Sequence, residues 1–316
     1  MAEAGHDGIL ALDLNPIDSS MQELCRETFV GDILDRDLME RIVSRFEVRE
    51  IYHLAALLST RAEFTPETAH RVNVEGTMGL LQLAIEQSSW RGRPVKFLFP
   101  SSIAVYGLPD VPQKMASEPI VEHKWLTPRT MYGCNKLYCE NLGRYFGRHY
   151  RQLATGEDSR SVDFRSIRFP GLVSADTVPS GGTSDYGPEM LHAAARGDDY
   201  PCFVRPDTII PFMAMPDAVN AFLDMAQADQ ADLKSSVFNI TAFSPTAEEF
   251  RTEVLKHFPN ANITFEPDLK RQTIVDSWPA QVDDRAAREE WGFKPAYDFE
   301  RAFSEYLVPG IRKRYA

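Results

Sequence analysis

Tyr132 and Lys136 stand four residues apart in Tyr-Gly-Cys-Asn-Lys, with Pro100, Ser101 and Ser102 upstream. On a helix, positions i and i+4 share a face, so this spacing points a phenol and an ammonium into one pocket. A free tyrosine is almost wholly neutral near pH 7, and lowering its pKa by about three units takes roughly 4 kcal/mol. A cation about 4 Å away, at an effective dielectric near 20, supplies about that much. Lys136 is therefore expected to make Tyr132 a usable base. Ser102, just beyond a buried apolar run, is expected to hydrogen-bond a reacting hydroxyl while its proton leaves. Together the three residues read as the acid/base site of a hydride transfer. A Tyr-x-x-x-Lys spacing alone would suit any surface helix, and the upstream serine gives it meaning.

The elements around these residues alternate. Segments 9–13, 50–54, 95–99 and 164–168 read as buried strands separated by helical patterns. After Asp35, a candidate N-cap, Leu38, Met39, Ile42, Val43 and Phe46 trace one helical face. Such alternation predicts an α/β fold, a doubly wound parallel sheet of the Rossmann-like kind. Residues 1–172 are expected to form a dinucleotide-binding domain, with 209–241 returning to it. Residues 173–316, less regular and richer in Pro and Gly, are expected to form mostly a substrate-binding lobe. The polar stretch 154–161 reads as a surface loop.

In such a sheet, the acidic residue ending the second strand bonds the adenosine ribose hydroxyls. Asp13 sits where that residue belongs. Its carboxylate would repel a 2′-phosphate and no arginine follows nearby, so NAD is expected rather than NADP. Asn15 belongs to the same corner, although Asn15-Pro16 also suits a simple turn. Asp32 and Ile33 are placed to approach the adenine, and Leu54, Ala55 and Ala56 offer small residues where a cofactor would cross the sheet. Asn73 is placed to hold the loop that follows. Each of these residues, taken alone, also has an ordinary structural explanation.

The 316 residues carry a net charge of −12 and are 43% hydrophobic, enough for a large core and one complex domain or two lobes. That acidity argues against nucleic acid and anionic membrane as partners. Absent a signal-peptide pattern or a transmembrane-length apolar window, the expected compartment is the cytoplasm. Cys25, Cys134, Cys139 and Cys202 lack metal-ligand spacing and are expected to stay reduced, with Cys134 used in packing and no metal bound.

A dinucleotide fold also needs a first strand and a Gly-rich turn that presents backbone amides to the pyrophosphate. Neither is recognisable before residue 9. Residues 1–5 instead resemble the last turn of the helix after that turn, with Gly5 as its C-cap. The chain is thus expected to be truncated or mis-started, and to lack the central strand of a 3-2-1-4-5-6 order. Losing two charge-assisted amide contacts would cost roughly 3–6 kcal/mol, about 10²- to 10⁴-fold in cofactor affinity.

Asp13, Tyr52-His-Leu-Ala-Ala56, Val72-Asn-Val-Glu-Gly-Thr77, Pro100-Ser-Ser-Ile-Ala-Val-Tyr-Gly107 and Tyr132-x-x-x-Lys136 resemble the extended short-chain dehydrogenase/reductase superfamily over nearly the whole chain. Within it, Arg168-Phe-Pro-Gly-Leu172, Pro179-Ser-Gly-Gly-Thr-Ser-Asp-Tyr186, Arg205-Pro-Asp-Thr208, Met215-Pro-Asp217 and Asp276-Ser-Trp-Pro279 are similar to the short-chain type of L-threonine 3-dehydrogenase. The resemblance implies NAD-dependent oxidation of the threonine side-chain hydroxyl to 2-amino-3-ketobutyrate. It assigns Tyr132 as base and Ser102 as orienting group, with Lys136 bonding the nicotinamide ribose and Pro170 on the cofactor side. It also places Thr183 and Asp185 at the amino acid's polar end, Asp185 suiting the ammonium, and Trp278 as the closure of the pocket. For Ser184 and Asp185 an N-cap role is the alternative, and for Trp278 core packing. A homodimer built through the Tyr132 helix is implied too. Two other readings stand beside this one. The first is a nucleotide-sugar epimerase or dehydratase with Arg205 and Arg271 as diphosphate ligands, and the second a non-catalytic remnant of the fold.

Overall fold

The computed structural model describes residues 1–2, 5–6, 8–154 and 161–316. The expected loop at 154–161 falls, except at its two ends, outside the described residues, as do residues 3, 4 and 7. Gly5 has φ +86°, the left-handed value a C-cap takes, but the helical turn expected before it includes residues 3 and 4.

Ten strands are described: β1 Leu10–Asp13, β2 Glu27–Val30, β3 Glu50–Tyr52, β4 Val95–Ser102, β5 Val162–Phe169, β6 Gly171–Val173, β7 Tyr200–Cys202, β8 Phe212–Ala214, β9 Val237–Asn239 and β10 Ile263–Phe265. β3, β4, β5 and β9 form one sheet in that order, while among the described residues β1 pairs only with β2, β6 with β8 and β7 with β10. The registers run parallel, as in Leu10↔Glu27, Glu50↔Lys96 and Ser166↔Val237. The chain therefore has the parallel-sheet α/β, Rossmann-like architecture expected. Among the described residues no strand joins β1 to β3, where the expected central strand would run, so the parallel layer is in two pieces. That break corrects one expectation: β1 and β3 are half-buried rather than buried, because each lacks a neighbour on one side. β4 and β5 are largely enclosed.

Two compact units divide the chain. The first comprises residues 1–57, 65–99 and 138–165, and the second residues 58–64, 100–137 and 166–316. In the first, the helix Arg36–Arg45 starts where Asp35 accepts from the Leu38 amide at 3.0 Å and buries Leu38 and Ile42. It stops one residue before Phe46, whose backbone is extended, so Phe46 is the C-cap and not part of the helical face. The helix Gly76–Arg91 begins with a glycine whose Cβ would lie 2.4 Å from Ile33 Cδ1, so it packs directly on the segment after β2.

In the second unit an aromatic core gathers Tyr186, Phe203, Phe212, Phe250 and Phe303. Beside it the fully buried Arg168 donates to the Tyr106 hydroxyl at 2.8 Å and to the Glu122 carbonyl at 2.6 Å. Tyr106 in turn donates to Asn239 Oδ1 at 2.7 Å. A buried guanidinium is tolerated only when its donors are satisfied, and here that requirement ties β5, β9 and the turn after β4 together. Among the described residues, no helix is long and apolar enough to cross a membrane.

Candidate active site

β4 ends at Ser102, whose Oγ accepts from the Ala104 amide at 3.1 Å and so caps the single 3₁₀ turn Ile103–Val105. The helix Met131–Arg148 carries Tyr132 and Lys136. Thr130, just before it, accepts from the Gly133 amide at 3.0 Å, as an N-cap does. Gly133 explains why this helix can lie against the Ser102 turn. A Cβ there would meet the Ala104 carbonyl oxygen at 2.1 Å and Pro128 Cβ at 2.9 Å. Any larger residue between Tyr132 and Lys136 at that position would push the helix away.

Lys136 is buried, and its ammonium donates to the Pro100 carbonyl at 2.7 Å, with Nζ 5.5 Å from the Tyr132 ring centroid. Tyr132 is half-buried against the aromatic core, and its burial pushes the phenol pKa above the ordinary tyrosine value. This corrects the sequence argument. Desolvation of the phenolate dominates here, and the Lys136 ammonium ties the helix to Pro100. Cys134 is also corrected: it is exposed, with its Sγ 3.9 Å from the Pro128 carbonyl oxygen.

The loop that the sequence assigns to substrate is held from several sides. Asp185 Oδ2 accepts from the amides of Gly182 at 2.7 Å and Ser180 at 3.2 Å. It occupies the N-cap position of the helix Tyr186–Arg196, yet its side chain staples the loop instead of capping that helix. Arg271, stacked on Phe203, donates to the carbonyl of Gly182 at 2.7 Å, and Thr60 donates to that of Gly181 at 2.8 Å. Thr183 is buried with its hydroxyl 3.3 Å from Ser59 Oγ. Trp278 lies in the aromatic core. Arg205 is committed to a two-pronged ion pair with Asp276 at 2.9 and 3.0 Å.

Of the residues expected to face a cofactor, Asp13, Asn15, Asp32, Ile33, Leu54, Ala55, Ala56 and Asn73 lie in the first unit, while Tyr132, Lys136 and Pro170, the last buried between β5 and β6, lie in the second. Asp13 ends β1 exposed, and its Oδ1 takes the Asn15 amide at 2.8 Å. Asp32 Oδ1 takes the Leu34 amide at 2.9 Å, with Ile33 half-buried beside it. Each carboxylate thereby spends one oxygen on a local turn and keeps the other as an acceptor for hydroxyls or an amine. Leu54 and Ala55 are exposed and Ala56 half-buried, an open apolar margin at the end of β3. Asn73 is buried and grips Leu57, accepting from its amide at 2.8 Å and donating to its carbonyl at 3.0 Å. Free carboxylate oxygens on Asp13 and Asp32 are acceptors of the kind that fit the ribose hydroxyls and adenine amine of a dinucleotide.

A family model described as GDP-mannose 4,6 dehydratase matches residues 15–157. The mitochondrial L-threonine 3-dehydrogenase of Bos taurus is 35% identical over 277 residues, covering 88% of this chain and 69% of that protein. An uncharacterized epimerase/dehydratase of Staphylococcus haemolyticus is 33% identical, covering 98% of this chain and 91% of that protein. The chain belongs to the extended short-chain dehydrogenase/reductase superfamily. Solved structures agree. A monomeric L-threonine 3-dehydrogenase from a metagenome, in apo form, superposes with a TM-score of 0.84 at 33% identity, covering 99% of this chain and 93% of that one. The enzyme of the same name from Trypanosoma brucei gives 0.81 at 30% identity, with coverage of 96% and 88%. A UDP-glucose 4-epimerase from Thermotoga maritima gives 0.79 at 20% identity, a likeness of fold alone. As a superfamily member the chain is an enzyme of the nicotinamide-dependent dehydrogenase and epimerase type, acting on a small molecule.

Proposed function

We propose that this chain oxidises the side-chain hydroxyl of L-threonine to 2-amino-3-ketobutyrate with NAD+. The observation that carries the reading is the glycine contact, Gly133 against the Ala104 carbonyl, which lets the Tyr132 helix close on the Ser102 turn. Relatives named L-threonine 3-dehydrogenase in sequence and structure support the substrate. Ser102, whose oxygen already accepts from Ala104, donates a hydrogen bond to the threonine hydroxyl and orients it. Tyr132 takes the hydroxyl proton. Lys136 fixes the end of β4 against the helix and reaches the ribose. Bound NAD+ supplies the hydride acceptor. Thr183, already beside Ser59, meets the polar end of the amino acid, and Asp185 acts on that end by shaping the loop.

NAD rather than NADP follows from the exposed Asp13 carboxylate, which repels a 2′-phosphate. A homodimer is part of the proposal: Tyr138 and Tyr145 on the Tyr132 helix are 50% and 41% exposed, seven positions apart and on one face, although one structural neighbour is described as monomeric. A cytoplasmic location is proposed on the sequence pattern alone. The diphosphate role considered for Arg205 and Arg271 finds less support, since Arg205 is paired with Asp276 and Arg271 with the Gly181 and Gly182 carbonyls. The test is NADH formation from NAD+ with and without L-threonine, on the wild type and on Tyr132→Phe. Threonine-dependent NADH that vanishes in Tyr132→Phe, with NAD+ affinity kept, is the expected result. Turnover retained by the variant moves the base elsewhere, and binding of a UDP-sugar without response to threonine transfers the reading to an epimerase.

A further inference from the structure

We propose that the short helix Ser59–Phe64 is the positioning element of this site, and Glu63 the positioning residue that sets Tyr132. Glu63 Oε1 accepts from the amide of Met131 at 2.6 Å. Met131 opens the helix whose second residue is Tyr132. The first amides of a helix have no partner within it. Here Glu63 takes the one before Tyr132, and Thr130 takes the one after it, at Gly133. The base is thus bracketed by two side-chain acceptors, and Glu63 comes from a separate helix. Its carboxylate makes a charge-assisted bond at the helix end where a negative charge is favourable.

The same short helix reaches the loop proposed to meet substrate. Thr60 donates to the Gly181 carbonyl at 2.8 Å, and Ser59 Oγ lies 3.3 Å from Thr183 Oγ1 and 3.5 Å from its amide. Ser59 and Glu63 are separated by four positions and share a face. One rigid turn and a half therefore joins the Gly181–Thr183 loop to the amide beside Tyr132, so the two sites hold a fixed mutual placement. A placement error of about 1 Å at a reacting group can cost 10²-fold in rate. Glu63 contacts no reacting atom in this account and acts only through the helix it anchors.

The inference rests on the reading of Tyr132 as the base, and its test separates the two. In Glu63→Ala, kcat with L-threonine is expected to fall about 10- to 100-fold with KM for NAD+ unchanged. Glu63→Gln, which keeps a carbonyl oxygen to accept from Met131, is expected to restore most of it. Hydrogen exchange followed by mass spectrometry supplies a readout that needs neither substrate nor cofactor. Amides of residues 131–135 are expected to exchange about five- to tenfold faster in Glu63→Ala, as for a lost cap, with the helix Tyr186–Arg196 unaffected. Unchanged protection at 131–135, or deprotection spread over the whole chain, overturns the proposal. If the wild type gives no threonine turnover, the functional reading fails while the exchange result still decides the role of Glu63.

Discussion

Gly133→Ala tests the geometry on which the functional reading rests. The added methyl would sit 2.1 Å from the Ala104 carbonyl oxygen, about 1.2 Å short of the ~3.3 Å that a carbon and such an oxygen keep. A carbonyl inside a 3₁₀ turn cannot swing aside as a side-chain tip can, so the helix must retreat by roughly 1 Å. That retreat carries Tyr132 away from Ser102 and is expected to lower kcat about 10²-fold. The stability change is expected to be much smaller. Overpacking costs about 1–3 kcal/mol, while replacing glycine inside a helix returns about 1 kcal/mol. Threonine-dependent NADH formation gives the rate, and urea unfolding gives the stability. A large rate loss beside a net stability loss of at most about 2 kcal/mol supports the reasoning. A variant with wild-type kcat shows that the Tyr132 helix need not touch the Ser102 turn, and refutes it.

Because burial raises the Tyr132 pKa and the reaction needs its deprotonated form, kcat for threonine oxidation should climb steadily with pH across the neutral and mildly alkaline range. Its slope should approach tenfold per unit below that pKa, and a flat profile there would mean that Tyr132 is not the base. Lys114 supplies a stability counterpart. Burial lowers its pKa to about 8 from 10.5, with its ammonium on the Val275 carbonyl. Above pH 8 the unfolded chain therefore binds the proton that the folded chain has lost, and stability should rise by up to about 1.4 kcal/mol per pH unit. Between pH 8 and 9.5 the urea midpoint of the wild type should rise relative to that of Lys114→Met, since the burial-raised thiol of Cys202 lowers both alike, and equal slopes would exclude Lys114 as the cause.

What the sequence discloses and what it hides divide along physical lines. Tyr132, Lys136 and Ser102 are readable because proton transfer limits the residue types and helical spacing fixes which of them share a face. Asp35 is readable as a cap because that position too is governed by local chemistry. β2 escapes notice because Glu27 and Thr28 dilute its apolar signal over only four residues. β4 and β5 outrun their expected ends because the apolar run stops before the hydrogen bonding does. The link from Glu63 to Met131 spans 68 positions and leaves no local trace, and neither does the burial of Arg168 under Tyr106. Gly133 does leave a local trace. A glycine just inside a helix lowers helix propensity by about 1 kcal/mol, a cost that suggests something lies close by.

The corrected role of Lys136 follows from the same distinction between residue type and direction. Spacing brings a cation to the face of Tyr132, but spacing does not say where its protons point, and here one of them is given to Pro100. The lysine thereby joins the end of β4 to the helix, as the Gly133 contact and the Thr130 cap join that helix to the turn after β4. With Glu63 added, Tyr132 is held through four attachments, none made by its own hydroxyl. A phenol so placed gives up ionised fraction to burial and gains position. Effective molarities for well-oriented groups reach about 10⁵ M or more, whereas an unfavourable pKa reduces the active fraction only about tenfold per unit. Holding the base in place thus offsets much of that loss, and the four attachments to the backbone around Tyr132 are what supply it.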